Sequence, residues 1–214
     1  MKPRFYYVPD DAVAHLRASD ELLARAMDRV GPFVLEPRAT KSLFEALMRS
    51  IVYQQLHGKA ANSIHTRVLA QLKAHGGPTP VALGKVPDHI LRGAGLSAGK
   101  LRAIRDLAAK CLDGTVPTLR EAHKLEDAEL IARLTAVRGI GPWTVQVLML
   151  FHLGRPDIFP TGDFALQRAF SLLYRRGRKV SPAAMLRHAK RWQPHRSVAS
   201  WYLWRSLDIT LPDA

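Results

Sequence analysis

Arg138-Gly139-Ile140-Gly141-Pro142-Trp143-Thr144 joins two apolar-periodic segments, and its reading decides the fold. Upstream, Leu130, Ile131 and Leu134 give residues 127–136 the period of a short helix. Downstream, residues 143–153 form a second apolar stretch that Gly154 stops. Two glycines one residue apart allow positive φ and let another backbone or an anion approach closely. Pro142 suits a first helical turn, because it brings no N–H that would need a partner. The free N–H groups and the dipole of the helix that follows point back at the same loop. A lone G-x-G reads as a plain helix–helix turn. Between two helices of a strongly basic chain, it reads as a phosphate-binding hairpin made by Arg138, Gly139, Ile140, Gly141 and Thr144.

Nineteen residues after Thr144 comes Asp163, within Phe159-Pro160-Thr161-Gly162-Asp163-Phe164. Its plain role is to cap a helix over 164–174. A helix start also holds negative charge well, so capping and a chemical role for this carboxylate are compatible.

The chain of 214 residues has a formal net charge of +14 and 47% hydrophobic residues. It is long enough to bury a core without metal or disulfide staples, and the charge favours a polyanionic partner. Between Asp163 and Asp208 there is no acidic residue, while Arg168, Arg175, Arg176, Arg178, Lys179, Arg187, Lys190, Arg191, Arg196 and Arg205 all fall there. A solvated surface normally mixes signs, so this stretch reads as phosphate-facing. The single cysteine, Cys111, excludes an intrachain disulfide framework and a four-cysteine cluster. The nine histidines show no zinc spacing, so no catalytic metal is expected. The first residues, Met1-Lys2-Pro3-Arg4-Phe5-Tyr6-Tyr7, lack the apolar core of a signal peptide, and no run is long enough to span a membrane. A soluble, cytoplasmic protein is expected.

Helical periodicity continues along the rest of the chain. It predicts helices over 10–15, 21–30, 40–56, 59–74, 98–112, from Ser181-Pro182 onward, and 197–207, with no strand. The fold class is all-α, with eight to ten short helices. Helix 98–112 should bury Leu101, Ile104, Leu107 and Leu112, with Cys111 as a small buried hydrophobe. Of the four tryptophans, Trp201 and Trp204 cluster with Tyr202 near Arg196 and Arg205. They suit either core packing or a pocket that stacks a base.

Several stretches taken in order resemble one known group. They are Ile51-Val52-Tyr53-Gln54-Gln55-Leu56-His57-Gly58-Lys59-Ala60-Ala61, then Gly95-Leu96-Ser97 with Lys100-Leu101-Arg102, then 137–144, then 157–168. Arg191-Trp192-x-Pro194-x-Arg196-Ser197 with Trp201-Tyr202-x-Trp204 adds a fifth. Over about residues 36–207 the chain is similar to the helix-hairpin-helix (HhH-GPD) DNA glycosylase superfamily, and most of all to its 3-methyladenine DNA glycosylase II branch.

That resemblance implies two helical subdomains with a cleft between them. Residues 37–148 would carry the helix-hairpin-helix, and residues 1–36 with 149–214 would carry a catalytic Asp163. The hairpin would grip a DNA phosphate, often through a bound monovalent cation (Na+ or K+), with no cofactor required. The loop Gln54, Gln55, Leu56 and His57 would fill the gap left by a flipped nucleotide, with Gln55 standing where some relatives have an apolar wedge. Trp143 and Trp204 would line the base pocket, and Val147 stands where some relatives place a tyrosine. Trp143 also stands where lyase members have a lysine. The resemblance therefore implies a monomeric, monofunctional enzyme that hydrolyses the N-glycosidic bond of alkylated purines in double-stranded DNA, with no membrane partner. A glycosylase for another lesion class and a non-catalytic DNA-binding module are the alternatives. The missing lysine and cluster ligands weigh against the first, and Asp163 with its paired aromatics against the second.

Overall fold

The computed structural model describes residues 5–208, and among them are thirteen α-helices, one 3₁₀ turn and no strand. Residues 1–4, on which the signal-peptide expectation partly rests, and residues 209–214 of the expected second subdomain lie outside the described residues. The chain divides into two compact units, residues 40–148 and residues up to 39 together with 149 onward.

The unit of residues 40–148 is organised around one helix. It contains α3 (Leu43–Tyr53), α4 (Gly58–Lys73), α5 (Pro80–Lys85), α6 (Asp88–Gly93), α7 (Ala98–Leu112), α8 (Leu119–Ala122) and α9 (Asp127–Thr135), and α7 packs against α3, α5 and α6. The apolar face of α3 is buried through Leu43, Phe44, Leu47, Met48, Ile51 and Val52. This helix is shorter than the expected 40–56. Ser42 caps its start by accepting from the Glu45 N–H at 3.1 Å, and the chain leaves the helix where Gln55 takes φ +55°. Ser97 caps α7 by accepting from the Lys100 N–H at 3.2 Å. Leu101, Ile104 and Leu107 are buried as expected, but Leu112 is 63% exposed and Cys111 only half-buried. The last turn of α7 runs past the core that its apolar face covers. Burial still pushes the Cys111 thiol up to about 11, which leaves it inert near neutral pH.

Three more helices exist than the eight to ten expected. α5, α6 and α8 are too short to display a period. Two of them are announced by caps: Thr79 accepts from the Ala82 N–H at 3.1 Å, and Thr118 forms a capping box with Glu121.

The other unit holds α1 (Pro9–Ser19), α2 (Glu21–Val30), α11 (Phe164–Arg175), α12 (Pro182–His188), the 3₁₀ turn Ala189–Trp192 and α13 (Arg196–Ser206). The helix α10 (Pro142–Phe151) crosses the boundary between the units. In α13 seven consecutive residues, Ser197 to Leu203, are buried. A helix buried on every side belongs at a centre, and α13 packs against α1, α2, α11 and the 3₁₀ turn.

Asp20 closes this unit. It is 5% exposed and caps α2 through Oδ1, which accepts from the Leu23 N–H at 3.1 Å. Its Oδ2 accepts from the Tyr174 hydroxyl at 3.0 Å, His188 Nε2 at 2.9 Å and Trp192 Nε1 at 3.1 Å. One carboxylate thus joins α2, α11, α12 and the 3₁₀ turn.

Candidate active site and phosphate hairpin

Asp163 is positioned by a segment that the start of α13 holds in place. Arg196 forks onto Asp157, Nε to Oδ1 at 2.7 Å and Nη2 to Oδ2 at 2.7 Å, and Gln193 Nε2 adds a bond at 3.3 Å. Burial works against the charge on Asp157, but the Arg196 hydrogen bonds and charge outweigh it and hold the carboxyl below its ordinary range. Ser197 Oγ donates to the Arg155 carbonyl at 2.6 Å and accepts from the Ile158 N–H at 2.9 Å. Ser200 Oγ donates to the Ile158 carbonyl at 3.1 Å. The Arg-Ser pair in the sequence therefore tethers residues 155–158 to α13. A turn then closes with the Asp163 N–H donating to the Pro160 carbonyl at 2.9 Å.

Asp163 is half-buried at the start of α11. Its Oδ1 accepts from the Leu166 N–H at 2.7 Å and from Trp204 Nε1 at 2.9 Å. Two donors on one oxygen fix the plane of the carboxylate. Trp204 is itself fixed, because Phe151 stacks on it at 5.7 Å between centroids and 25° between planes. The Arg38 guanidinium lies 5.3 Å from the Phe151 ring centre, and the Arg38 N–H donates to the Phe151 carbonyl at 2.6 Å. Phe151 and Arg38 were not anticipated from sequence, because Phe151 reads as one more apolar residue of the stretch 143–153 and Arg38 lies far from Asp163 in the chain. Phe164 was also missed. It is the residue after Asp163 and is 79% exposed, which leaves its ring face open to a stacking partner.

In the unit of residues 40–148 the hairpin divides its work between core and surface. Gly139 adopts φ +78°, which only glycine takes without strain. Ile140 and Thr144 are buried and anchor the loop. The Arg138 N–H donates to Asp106 Oδ2 at 2.7 Å, and the Ile140 N–H to the Val137 carbonyl at 3.1 Å. The N–H groups of Gly139 and Gly141 donate to no acceptor among the described residues. Those two amides and the exposed Arg138 side chain can meet a phosphate.

The loop ahead of α4 adjoins the hairpin. Gln54 Nε2 donates to the Gly139 carbonyl at 2.8 Å. Gln55, Leu56 and His57 are exposed, Leu56 by 38% despite its apolar side chain. Trp143 is 46% exposed in the first turn of α10, and Val147, four residues on and on the same side, is half-buried. The structure thus brings Asp163 to Trp204 in one unit, and Gln54 to the hairpin in the other. Among the described residues no cluster of His, Cys, Asp or Glu could hold a metal ion, and no helix is long and apolar enough to cross a membrane.

A family model described as "HhH-GPD superfamily base excision DNA repair protein" matches residues 48–194. DNA-3-methyladenine glycosylase 1 of Schizosaccharomyces pombe is 35% identical over 207 residues, covering 94% of this chain and 90% of that protein. The solved structure of a 3-methyladenine DNA glycosylase from the same yeast, in complex with abasic DNA, superposes with a TM-score of 0.81 at 34% identity. That match covers 94% of this chain and 98% of the yeast chain. A DNA-3-methyladenine glycosidase structure from Bacillus halodurans gives a TM-score of 0.82 at 34% identity, covering 95% and 91%.

Proposed function

Because this chain belongs to the HhH-GPD superfamily of base excision DNA repair proteins, we propose that it is a monofunctional DNA glycosylase for alkylated purines such as 3-methyladenine. It binds the duplex, swings the damaged nucleotide out of the stack and hydrolyses the N-glycosidic bond. The observation that carries this reading is the carboxylate of Asp163, oriented by Leu166 and Trp204 at a helix start.

Breaking the bond leaves positive charge on the deoxyribose. A fixed anion beside that sugar stabilises the charge without reorganising during the step, and it can position and deprotonate the attacking water. Sugar hydrolases typically use a second carboxyl group to protonate the leaving group. A purine alkylated at N3 or N7 is already cationic and leaves as a neutral base, so one carboxylate suffices and no cofactor is needed. Trp204 and the exposed Phe164, in the unit that holds Asp163, supply electron-rich faces for that cation, worth roughly 0.5–2 kcal/mol per contact. In the other unit, Trp143 presents an exposed aromatic face on α10 with Val147 one turn on. Gly139, Gly141 and Arg138 take a phosphate, and the exposed arginines after Asp163 follow the backbone, except Arg196, whose guanidinium is committed to Asp157. Backbone carbonyls are the donor type that holds a monovalent cation, so Na+ or K+ would be held by the hairpin carbonyls. The Gly139 carbonyl already accepts the Gln54 amide.

Trp204→Phe keeps an aromatic ring but removes the donor to Asp163. Hydrogen bonds to charged groups are worth about 1.5–3 kcal/mol, so kcat on methylated DNA should fall by tenfold or more with little change in KM. Single-turnover kinetics check it.

The deciding experiment incubates the protein with methylated duplex and identifies the freed bases by mass spectrometry. Free 3-methyladenine and an intact strand, nicked only after hot alkali, are expected. Strand cleavage with enzyme trapped by borohydride would contradict the monofunctional assignment. Release of an oxidised base or uracil in its place would move the chain to another lesion class, and binding without release would make it a non-catalytic module.

A further inference from the structure

Helix α7 carries three contacts on one side that reach both the 54–57 loop and the hairpin. Lys100 Nζ donates to the Val52 carbonyl at 2.6 Å, in the last turn of α3 just before the loop. Asp106 Oδ2 accepts from the Arg138 N–H at 2.7 Å and Oδ1 pairs with Lys110 at 2.5 Å, at the entry to the hairpin. Between them lies Ala103, whose Cβ would be 3.6 Å from a Cβ built on Gly139. The Gln54 amide then links the two elements directly, Nε2 to the Gly139 carbonyl at 2.8 Å, across 85 residues of sequence.

This link has consequences for Gln54 and for its neighbours. With its amide bound to the hairpin, the Gln54 side chain is held back from the loop tip. The tip is left to Gln55, in a left-handed conformation with φ +55°, and to the exposed apolar Leu56. A left-handed non-glycine residue holds its place only where its surroundings fix it, and the bond from the preceding residue supplies such a restraint. A loop tip with an exposed leucine, fixed beside amides free to take a phosphate, is arranged to enter a duplex at a set distance from the phosphate held.

We propose that Gln54 is a positioning residue that ties the 55–57 tip to the phosphate-gripping hairpin, so that grip and insertion occur as one rigid movement. The proposal rests on the glycosylase reading. It assigns to Gln54 coupling, and to Gln55 and Leu56 the filling of the gap.

Gln54→Met tests it, because methionine matches glutamine in length and flexibility and cannot donate a hydrogen bond. Two probes are used: an undamaged duplex, and the same duplex with a tetrahydrofuran abasic analogue beside a 2-aminopurine reporter. Affinity for the analogue duplex should fall about tenfold more than affinity for the undamaged duplex. The reporter signal of insertion should fall with it, while the melting temperature stays at the wild-type value. Gln54→Lys, which restores a donor, should recover part of the preference. If Gln54→Met retains the full preference and reporter signal, or the lysine variant recovers nothing, the coupling role is wrong although the glycosylase reading stands. A wild-type protein without preference for the analogue duplex would overturn both.

Discussion

Replacing Asp163 with asparagine should leave a protein that still binds methylated duplex but releases 3-methyladenine at least about a thousandfold more slowly. The expectation follows from what the substitution keeps. Asparagine is as good a helix cap as aspartate, and its carboxamide oxygen can accept from the Leu166 N–H and Trp204 Nε1 as Oδ1 does. Shape and these two hydrogen bonds survive while the charge is lost. A fall in rate therefore reports the electrostatic contribution to the transition state, about 4 kcal/mol for a thousandfold effect. Single-turnover release of labelled base measures it. Turnover within tenfold of wild type would remove Asp163 from the chemistry.

The second large effect is on stability. Asp20→Ala removes one acceptor and strands the Tyr174, His188 and Trp192 donors in a packed unit. Removing one member of a buried charged network costs about 3–5 kcal/mol, a large part of the 5–15 kcal/mol that typically holds a domain together. Asp20→Ala should lower the melting temperature by roughly 10 °C. Burial alone would raise the carboxyl pKa of Asp20, but the bonds from His188, the Leu23 N–H, Trp192 and Tyr174 outweigh it and hold it at about 2. The folded state therefore binds this proton less readily than the unfolded chain, whose carboxyl titrates near 4. Stability from Asp20 is full above about pH 4 and is lost as pH falls towards 2. Acid melting of wild type should show that loss, and the Asp20→Ala protein should lack this component. Equal acid sensitivity of the two would show that Asp20 does not set it.

Much of this molecule was legible in its sequence because the relevant signals are local. Gly139-x-Gly141-Pro142 states its turn chemistry within four residues, and the apolar stripe of α3 repeats often enough to show its period. Asp163 could be named from its place at a helix start. The arginines after it are exposed, in a stretch whose lack of acidic residues composition already displayed, except Arg196, which Asp157 holds half-buried. The parts that escaped are those fixed by distant contacts. Asp20 reads as an ordinary cap of α2, and nothing near it in the chain announces Tyr174, His188 or Trp192. Phe151 and Arg38 gain meaning only once Trp204 is seen stacked on the first of them. Gln54 stood in the right loop, but its partner lies 85 residues away. Leu112 fits the period of α7 and is nonetheless exposed, because periodicity tells which way a residue faces and not where the core ends.

The central claim is that the charge of Asp163 faces a cation forming on a deoxyribose. The most direct test compares two abasic-site duplexes, one with a neutral tetrahydrofuran and one with a pyrrolidine whose ring nitrogen is protonated. Wild-type protein should bind the cationic duplex at least about tenfold more tightly, the signature of one close charge pair in a partly buried site. The Asp163→Asn variant should bind the two alike. Equal affinity of the wild-type protein for both would contradict the mechanism.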